Sequence, residues 1–193
     1  MDRESIVIKH IEESAELKKE LKEQVKTLIE IADRIIQAFR SGNKVFLFGN
    51  GGSAADAQHI AGELAGKFYQ DREPLPALAL TTNTSSLTAI ANDYGFETVF
   101  SRQLLGLVKK GDIVIGMSTS GASSNVIRGI EAARQRGAIT IAFTGTRGTL
   151  KDIADYVLSI SSNDAPRIQE VHITAGHIIC YLIEQTLFGS TQI

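Results

Sequence analysis

Four side chains in this sequence can carry protons or hold a metal ion, and all four lie in segments with helical periodicity. His59 and Glu63 are four residues apart, so they share one face of a helix. Gln169 and His177 are eight residues apart in the last helical segment, which places them about 80° apart around its axis. The four groups can therefore converge on one cavity. Spacing alone does not separate a metal site from a proton-transfer site, or from an ordinary surface pair of His59 with Glu63.

A second group of polar side chains predicts an anion site. The hydroxyls of Ser118, Thr119, Ser120 and Ser123 follow an apolar, strand-like run and precede a helical segment. Hydroxyls and backbone amides at the start of a helix bind anions, and a loop without Lys or Arg suits a phosphate monoester. A single Ser or Thr would serve as an ordinary helix N-cap. Four hydroxyls within six positions exceed that need and favour a phosphate site.

The glycine-rich segment 49–53 occupies the equivalent place after another apolar run. Gly51 and Gly52 allow the backbone to approach a ligand closely, and Asn50 can hydrogen-bond a sugar hydroxyl. The segment lacks the lysine of a nucleotide-binding P-loop and the glycine spacing of a dinucleotide site. No nucleotide cofactor is therefore expected. A plain strand-to-helix turn is the alternative interpretation of this segment.

The elements that flank these loops must position them. After Gly42, five short apolar runs alternate with helical segments, which predicts an α/β fold: a three-layer αβα sandwich around a five-stranded parallel sheet. Loops that follow parallel strands emerge at the carboxyl edge of the sheet, where such sheets bind ligands. The predicted strands are 44–48, 77–80, 112–117, 139–143 and 156–160, and the predicted helices are 54–68, 85–91, 97–108, 124–136, a short one near 150, and 168–188.

Residues 1–41 form a helical segment that contains neither Gly nor Pro. The apolar pattern is too long for one average helix, so we predict two helices with a break between Ser14 and Glu20 and a stop at Gly42. Their extended apolar faces predict burial against a partner subunit as well as against the αβα core of residues 42–193.

Composition limits the kind of protein. A length of 193 residues suits one domain spanning 1–193, and a net charge of −2 with a pI near 6.1 provides no basic excess for nucleic acid. Cys180 is expected to be a buried thiol, while His10 and His172 are expected to be structural or solvated. With no disulfide framework and no apolar run near the ~20 residues of a membrane span, we expect a cytoplasmic protein without a membrane partner.

The sequence resembles sugar isomerase (SIS) domains over nearly its whole length. This resemblance implies a flavodoxin-like SIS fold in a single domain, preceded by N-terminal helices. Within the family, the sequence is most similar to isomerases of seven-carbon sugar phosphates, which implies conversion of D-sedoheptulose 7-phosphate to D-glycero-D-manno-heptose 7-phosphate for lipopolysaccharide or other surface glycans. The resemblance is carried, in order, by segments 49–53, 56–59, 63–64, 91–96, 118–121 and 167–172.

The resemblance also implies roles for individual residues. Glu63 and His177 would form the acid/base pair, and a homotetramer with sites built across subunits is expected. One Zn²⁺ per subunit would be held by His59, Glu63, Gln169 and His177. The phosphorylated heptose would contact Asn50, Gly51, Gly52, Glu63, Asn92, Asp93, Ser118, Thr119, Ser120, Ser123 and Gln169, with the four hydroxyls on the phosphate.

Aldose–ketose isomerisation through an enediol gives the acid/base pair a chemical purpose. One group moves a proton between neighbouring carbons, and a second moves protons between the two oxygens. We assign Glu63 to the carbon and His177 to the oxygens. The alternative is a non-catalytic SIS protein that binds a replication initiator or senses a sugar phosphate. The presence of both Glu63 and His177 favours the enzyme.

Overall fold

The computed structural model describes residues 2–189, which are built around a central parallel sheet. Its strand order is β2-β1-β3-β4-β5, and every neighbouring pair is parallel. This is the flavodoxin-like order, so the predicted sheet is confirmed. All residues of β1 and β3 are buried, because helices cover both faces of the sheet. The strands are β1 (Val45–Gly49), β2 (Ala77–Ala79), β3 (Ile113–Ser118), β4 (Ile139–Gly145) and β5 (Tyr156–Ile160).

Two apolar clusters, one on each face of the sheet, produce the three layers. Helices α2, α3 and α8 contribute to one cluster, and α5, α6 and α7 contribute to the other. Within residues 2–189, no helix combines the length and apolar character needed to cross a bilayer. The helices are α1 (Arg3–Glu20), α2 (Val25–Arg40), α3 (Gly52–Ala65), α4 (Thr84–Tyr94), α5 (Val99–Leu107), α6 (Ser124–Gln135), α7 (Leu150–Ile153) and α8 (Ala165–Phe188).

The N-terminal segment forms two helices, as predicted, but the predicted position of the break is wrong. The helices are separated by a 3₁₀ turn at Leu21–Gln24, after the predicted 14–20 region. Leu21 is buried there, and the Gln24 side chain exchanges hydrogen bonds with the backbone of Ser159 in β5. The chain therefore bends where it first meets the sheet. Gly42, at φ +74°, follows the end of α2 as expected.

Two glycines allow helix α6 to pack closely on β1 and β3. A Cβ added at Gly129 would lie 2.7 Å from the Phe48 ring, and one added at Gly116 would lie 3.0 Å from Ile130. Both distances are shorter than ordinary van der Waals contact, so a larger residue would push the helix away from the strands. These glycines seat α6 on the two central strands whose loops are described next.

Candidate functional site

The two polar loops lie side by side at the carboxyl edge of the sheet. Strands β1 and β3 are neighbours, with Gly49 paired in register to Met117. The helices that follow them, α3 and α6, pack on opposite faces of the sheet. This is the topological switch point of a 2-1-3-4-5 sheet, where a crevice forms and ligands bind.

In the loop after β3, hydroxyls gather at the start of α6. Ser118 Oγ lies 2.9 Å from Ser123 Oγ and 3.3 Å from Ser120 Oγ. Ser123 is the N-cap residue of α6 by position, yet its side chain makes no capping hydrogen bond. Ordinary capping therefore does not account for this group. A hydroxyl cluster at a helix N-terminus is chemically suited to an anion.

The hydroxyl loop after β3 packs against the loop after β4, which the sequence analysis did not single out. Gly121 adopts φ +64°, and a Cβ there would lie 2.1 Å from the carbonyl oxygen of Arg147. A Cβ at Gly148 would lie 2.2 Å from Gly121, and the Leu150 amide donates to the Gly121 carbonyl at 3.0 Å. Two backbones therefore touch at paired glycines. In the sequence, Gly148, shortly after β4, was the residue that could have indicated this contact.

In the glycine-rich loop after β1, the close neighbour of the backbone is a protein side chain, and the predicted approach to a ligand stays a prediction. Gly51 adopts φ +55° at the N-cap of α3. A Cβ on Gly52 would lie 2.6 Å from the amide nitrogen of Gln169, so the Gln169 side chain lies directly against this loop. The amide of Asn50 is hydrogen-bonded to Asn125, a residue of α6 that the sequence analysis did not identify.

Helices α3 and α8 bring three of the four predicted acid/base and metal residues together. His59 Nε2 lies 3.0 Å from Glu63 Oε1 and 3.3 Å from His177 Nε2. The two imidazole rings meet edge to face, with centroids 4.9 Å apart. The helices can approach because Gly176 faces Ile60, and a Cβ at Gly176 would lie 2.4 Å from that side chain.

The ligand atoms of His59, Glu63 and His177 all lie within 4.8 Å of one another. Imidazole and carboxylate donors suit zinc, and three protein ligands leave a position open for substrate, as catalytic zinc sites do. The residues therefore fit such an ion. Within residues 2–189, Gln169 makes no hydrogen bond to these three side chains, and an amide is a poor zinc ligand.

Asn92 and Asp93 are hydrogen-bonded to each other and, within residues 2–189, to none of the other predicted site residues through their side chains. They lie at the end of α4, are exposed, and hydrogen-bond to each other at 2.8 Å. Among the described residues, neither side chain hydrogen-bonds to the two loops or to the His–Glu cluster. The predicted role of this pair in substrate binding stays a prediction.

A buried ion pair holds the end of α3 where Glu63 lies. Arg72 Nε contacts Glu184 Oε1 at 3.0 Å, and both side chains are almost fully buried. Arg72 also donates to the backbone carbonyls of Glu63 and Leu64 at 2.9 Å. Removing one partner would leave an uncompensated buried charge, which costs about 3–5 kcal/mol. Neither residue was singled out from the sequence, since nothing local indicates that they pair.

The wall beside His177 is aromatic. The Phe68 ring stacks on the His177 imidazole with centroids 5.9 Å apart and planes inclined by 28°. Tyr69 meets Phe68 edge to face and contacts Tyr181 in the same way. These rings border a surface pocket that includes His177. They restrict the orientation of the imidazole.

Asp56 lies one turn before His59 on α3 and has an unusual environment. Burial raises the pKa of its carboxyl to about 6, while the nearby His59 opposes that shift. Its Oδ2 atom is buried and has no hydrogen-bond partner in the described part of the chain. The sequence pattern contained Asp56 but assigned it no role.

The remaining titratable expectations are confirmed. Cys180 is buried, and burial raises the pKa of its thiol to about 12, so the thiol is inert. His172 is also buried, with Nε2 3.4 Å from the Thr144 carbonyl, and burial lowers its pKa to about 4. His172 is therefore a neutral structural residue at physiological pH. His10 is exposed on α1 beside Glu13.

Comparison with known proteins first identifies the class. A family model described as SIS domain matches residues 9–145. Phosphoheptose isomerase from Aquifex aeolicus is 54% identical over 181 residues, which cover 93% of this chain and 95% of that protein. The chain belongs to the SIS-domain family and, within it, to the phosphoheptose isomerases.

Solved structures agree in fold along almost the whole chain. Phosphoheptose isomerase from Neisseria gonorrhoeae has a TM-score of 0.90 at 40% identity, with 95% of this chain and 100% of that chain covered. The enzyme from Francisella tularensis has a TM-score of 0.92 at 32% identity, with 96% and 100% covered. These matches support an isomerase and do not favour a non-catalytic SIS protein.

Proposed function

We propose that this isomerase converts D-sedoheptulose 7-phosphate to D-glycero-D-manno-heptose 7-phosphate through an enediol, with Glu63 and His177 as its proton carriers. The observation that carries the proposal is the meeting of Glu63 and His177 around His59, although they belong to different helices. Glu63 takes a proton from one carbon of the bound sugar and returns it to the neighbouring carbon. His177 moves protons between the two oxygens.

The loops at the switch point bind the rest of the substrate in this proposal. Ser118, Thr119, Ser120 and Ser123 hold the phosphate, because their hydroxyls and the start of α6 provide donors without a cation. The sugar chain lies along the glycine-rich loop, lined by Asn50, Gly51 and Gly52. Gln169 fits this arrangement, since its amide already lies against Gly52.

A zinc ion is the proposed cofactor, held by His59, Glu63 and His177, with Gln169 as a further ligand on the family resemblance. When bound, zinc polarises the sugar carbonyl and stabilises the negative charge of the enediolate. The converging donor atoms support this assignment. His59 would act as a ligand only. Direct coordination of zinc by Glu63 would lower the basicity of its carboxylate, so zinc binding and proton transfer are alternative roles of Glu63 and His177.

The proposed assembly is a homotetramer with sites across subunits, in the cytoplasm. Helix α1 buries none of its residues within one subunit, although Val7 and Ile11 are apolar and exposed. Within residues 2–189, the side chains of Asn92 and Asp93 make no hydrogen bond to the other site residues, which also fits a site built across subunits. A free, buried Cys180 suits the reducing cytoplasm.

The reaction is tested by feeding sedoheptulose 7-phosphate to the protein and following the appearance of an aldoheptose phosphate by NMR. We expect Glu63→Gln and His177→Ala each to lower kcat by at least ~10²-fold, the usual contribution of an acid/base group. Both variants should retain wild-type circular dichroism. Glu131→Gln, on the exposed face of α6, makes the same chemical change outside the site and should leave kcat unaltered. Near-normal rates in both site variants would refute the mechanism, and wild-type protein without turnover would refute the reaction.

The cofactor is tested separately by elemental analysis and chelation. We expect one zinc per subunit in the wild-type protein and a clear loss of zinc in His59→Ala. Chelator-treated protein should lose turnover and recover it when zinc is restored. Full turnover after complete removal of metal would contradict a catalytic zinc while leaving the roles of Glu63 and His177 intact.

A further inference from the structure

Two asparagines form a reciprocal amide pair across the switch point. Asn50 Nδ2 donates to Asn125 Oδ1, and Asn125 Nδ2 donates to Asn50 Oδ1, each at 2.8 Å. Asn50 belongs to the glycine-rich loop, whereas Asn125 lies in the first turn of α6, directly after the hydroxyl loop. The pair is therefore a direct link between the proposed sugar-binding and phosphate-binding loops.

The two partners differ in burial. Asn125 is only 3% exposed, while Asn50 is half-buried at the edge of the crevice. A buried amide without a partner loses its hydrogen bonds to water without replacement, and Asn50 supplies both side-chain hydrogen bonds that Asn125 makes within residues 2–189. An apolar side chain of similar size would avoid that risk, so stability alone does not explain an amide at position 125.

Asn125 is itself held firmly. Its helix lies against β1 and β3 through the contacts of Gly129 with Phe48 and of Gly116 with Ile130. These contacts leave α6 little freedom to move relative to the end of β1, where Asn50 begins its loop. Asn125 is thus a rigid reference point for the Asn50 side chain.

The chemistry of a primary amide shows what the pairing achieves. Each amide offers two N–H donors and a carbonyl oxygen with two lone pairs. The reciprocal pair uses one donor and one lone pair of Asn50. It thereby fixes the direction in which the other N–H of this planar amide points. Asn50 keeps one N–H and one lone pair for a ligand, in an orientation that Asn125 dictates.

We propose that Asn125 is a positioning residue that orients the Asn50 amide toward the sugar hydroxyls of the substrate. This inference rests on the proposed placement of the sugar along the glycine-rich loop. Asn125 does not touch the substrate, and its influence passes through Asn50. The same link keeps the sugar-binding loop in register with the phosphate-binding loop.

The test is a double-mutant cycle with sedoheptulose 7-phosphate as substrate and inorganic phosphate as a competitive inhibitor. We expect Asn125→Ala and Asn50→Ala each to raise KM by about tenfold, with a smaller effect on kcat, while the inhibition constant for phosphate changes less than about twofold. The double variant should be no worse than Asn50→Ala, because both changes remove the same interaction. Ser124→Ala, an exposed neighbour in the same helical turn, should match the wild type.

Asn125→Leu serves as a second variant because it keeps the side-chain size without leaving a buried amide unpaired, and it should show the same KM increase. The proposal is overturned if KM is unchanged, if phosphate inhibition weakens as much as substrate binding, if the two effects add, or if neither variant at position 125 folds. A normal KM in Asn50→Ala would instead refute the placement of the sugar.

Discussion

His172 shows how strongly the environment decides the role of a histidine in this protein. The half-exposed side chain of His59 lies 3.3 Å from His177, whereas His172 is fully buried, with the Thr144 carbonyl as its neighbour. Its Nδ1 atom has no hydrogen-bond partner among the described residues. Desolvation penalises the charged imidazolium, which is why the pKa falls to about 4.

The pH dependence of stability tests this interpretation. Because folding lowers the pKa of His172 from 6.5 to about 4, its stabilising contribution is present above pH 6.5 and is lost as the pH falls toward 4. Between pH 7 and pH 5, we expect the free energy of unfolding of the wild type to fall about 2 kcal/mol more than that of His172→Leu. Urea unfolding at both pH values measures the difference, in which the effects of other groups cancel.

Ile179→Val is a buried change in the same helix as His172 that alters no titratable group, and it is the control. Its stability should change with pH in parallel with the wild type. If the free energy of unfolding of His172→Leu falls between pH 7 and pH 5 by as much as that of the wild type, the buried imidazole does not resist protonation as described.

At the scale of elements, the site depends on two loops whose backbones must touch. The loop after β3 is shaped by Gly121, which combines a positive φ with a neighbour that leaves no room for a side chain. The loop after β4 packs on it through Gly148. The hydroxyl cluster at the start of α6 is therefore a product of contact between two loops rather than of the Ser/Thr-rich segment alone.

Substitution of Gly121 by Ala tests this dependence. Its methyl group would lie 2.1 Å from the Arg147 carbonyl oxygen, so the loop must move and separate the hydroxyls. We expect KM for the phosphosugar to rise at least about tenfold, together with a lower melting temperature, because strain at positive φ costs about 1–3 kcal/mol. Enzyme kinetics and thermal unfolding measure the two effects.

Gly106→Ala adds the same methyl group on α5, where nothing lies within 4 Å. It should leave KM unchanged, because it does not alter the contact between the loops after β3 and β4. Wild-type KM in Gly121→Ala would show that the close contact is not needed for the anion site.

At the scale of the whole molecule, α1 is a long helix with no buried residue within one subunit. Within the subunit, α1 packs Leu17 against the core and accepts a hydrogen bond from Arg167 at the His10 carbonyl. Isolated helices of this length are marginal in water, so these contacts leave much of its apolar surface without a partner. Val7 is 57% exposed and Ile11 is 63% exposed. Burial of this apolar face against other subunits is the expected source of its stability.

We therefore expect the double substitution Val7→Glu and Ile11→Glu to prevent assembly of the proposed tetramer, because charged side chains resist burial in an interface. Analytical ultracentrifugation at micromolar concentration should show a tetramer for the wild type and smaller species for the variant, with reduced turnover. Glu12→Gln lies on the same exposed helix, leaves this apolar pair intact, and should remain a tetramer. A monomeric wild type, or an unchanged mass in the double variant, would contradict the proposed assembly.

The sequence by itself determined the order of elements and the positions of the polar loops. Apolar runs of strand length alternate with helical periodicity, and this local pattern predicted all five strands to within two residues at either end. Local chemistry likewise singled out His59, Glu63 and His177 and the hydroxyls after β3. Such features depend on residues close together in the chain, where periodicity and turn chemistry act. The assignment of residues 1–193 to one SIS domain stays a prediction.

Only the tertiary structure decided which distant residues meet. The pairing of Asn50 with Asn125, the ion pair of Arg72 with Glu184, and the crossing of α3 and α8 at Gly176 all join segments far apart in the chain. The break between α1 and α2 was displaced for the same reason, since Gln24 bonds to β5. These contacts depend on how closely two surfaces approach. That distance is set by the packing of many side chains from distant parts of the chain, so no single segment of the sequence predicts it.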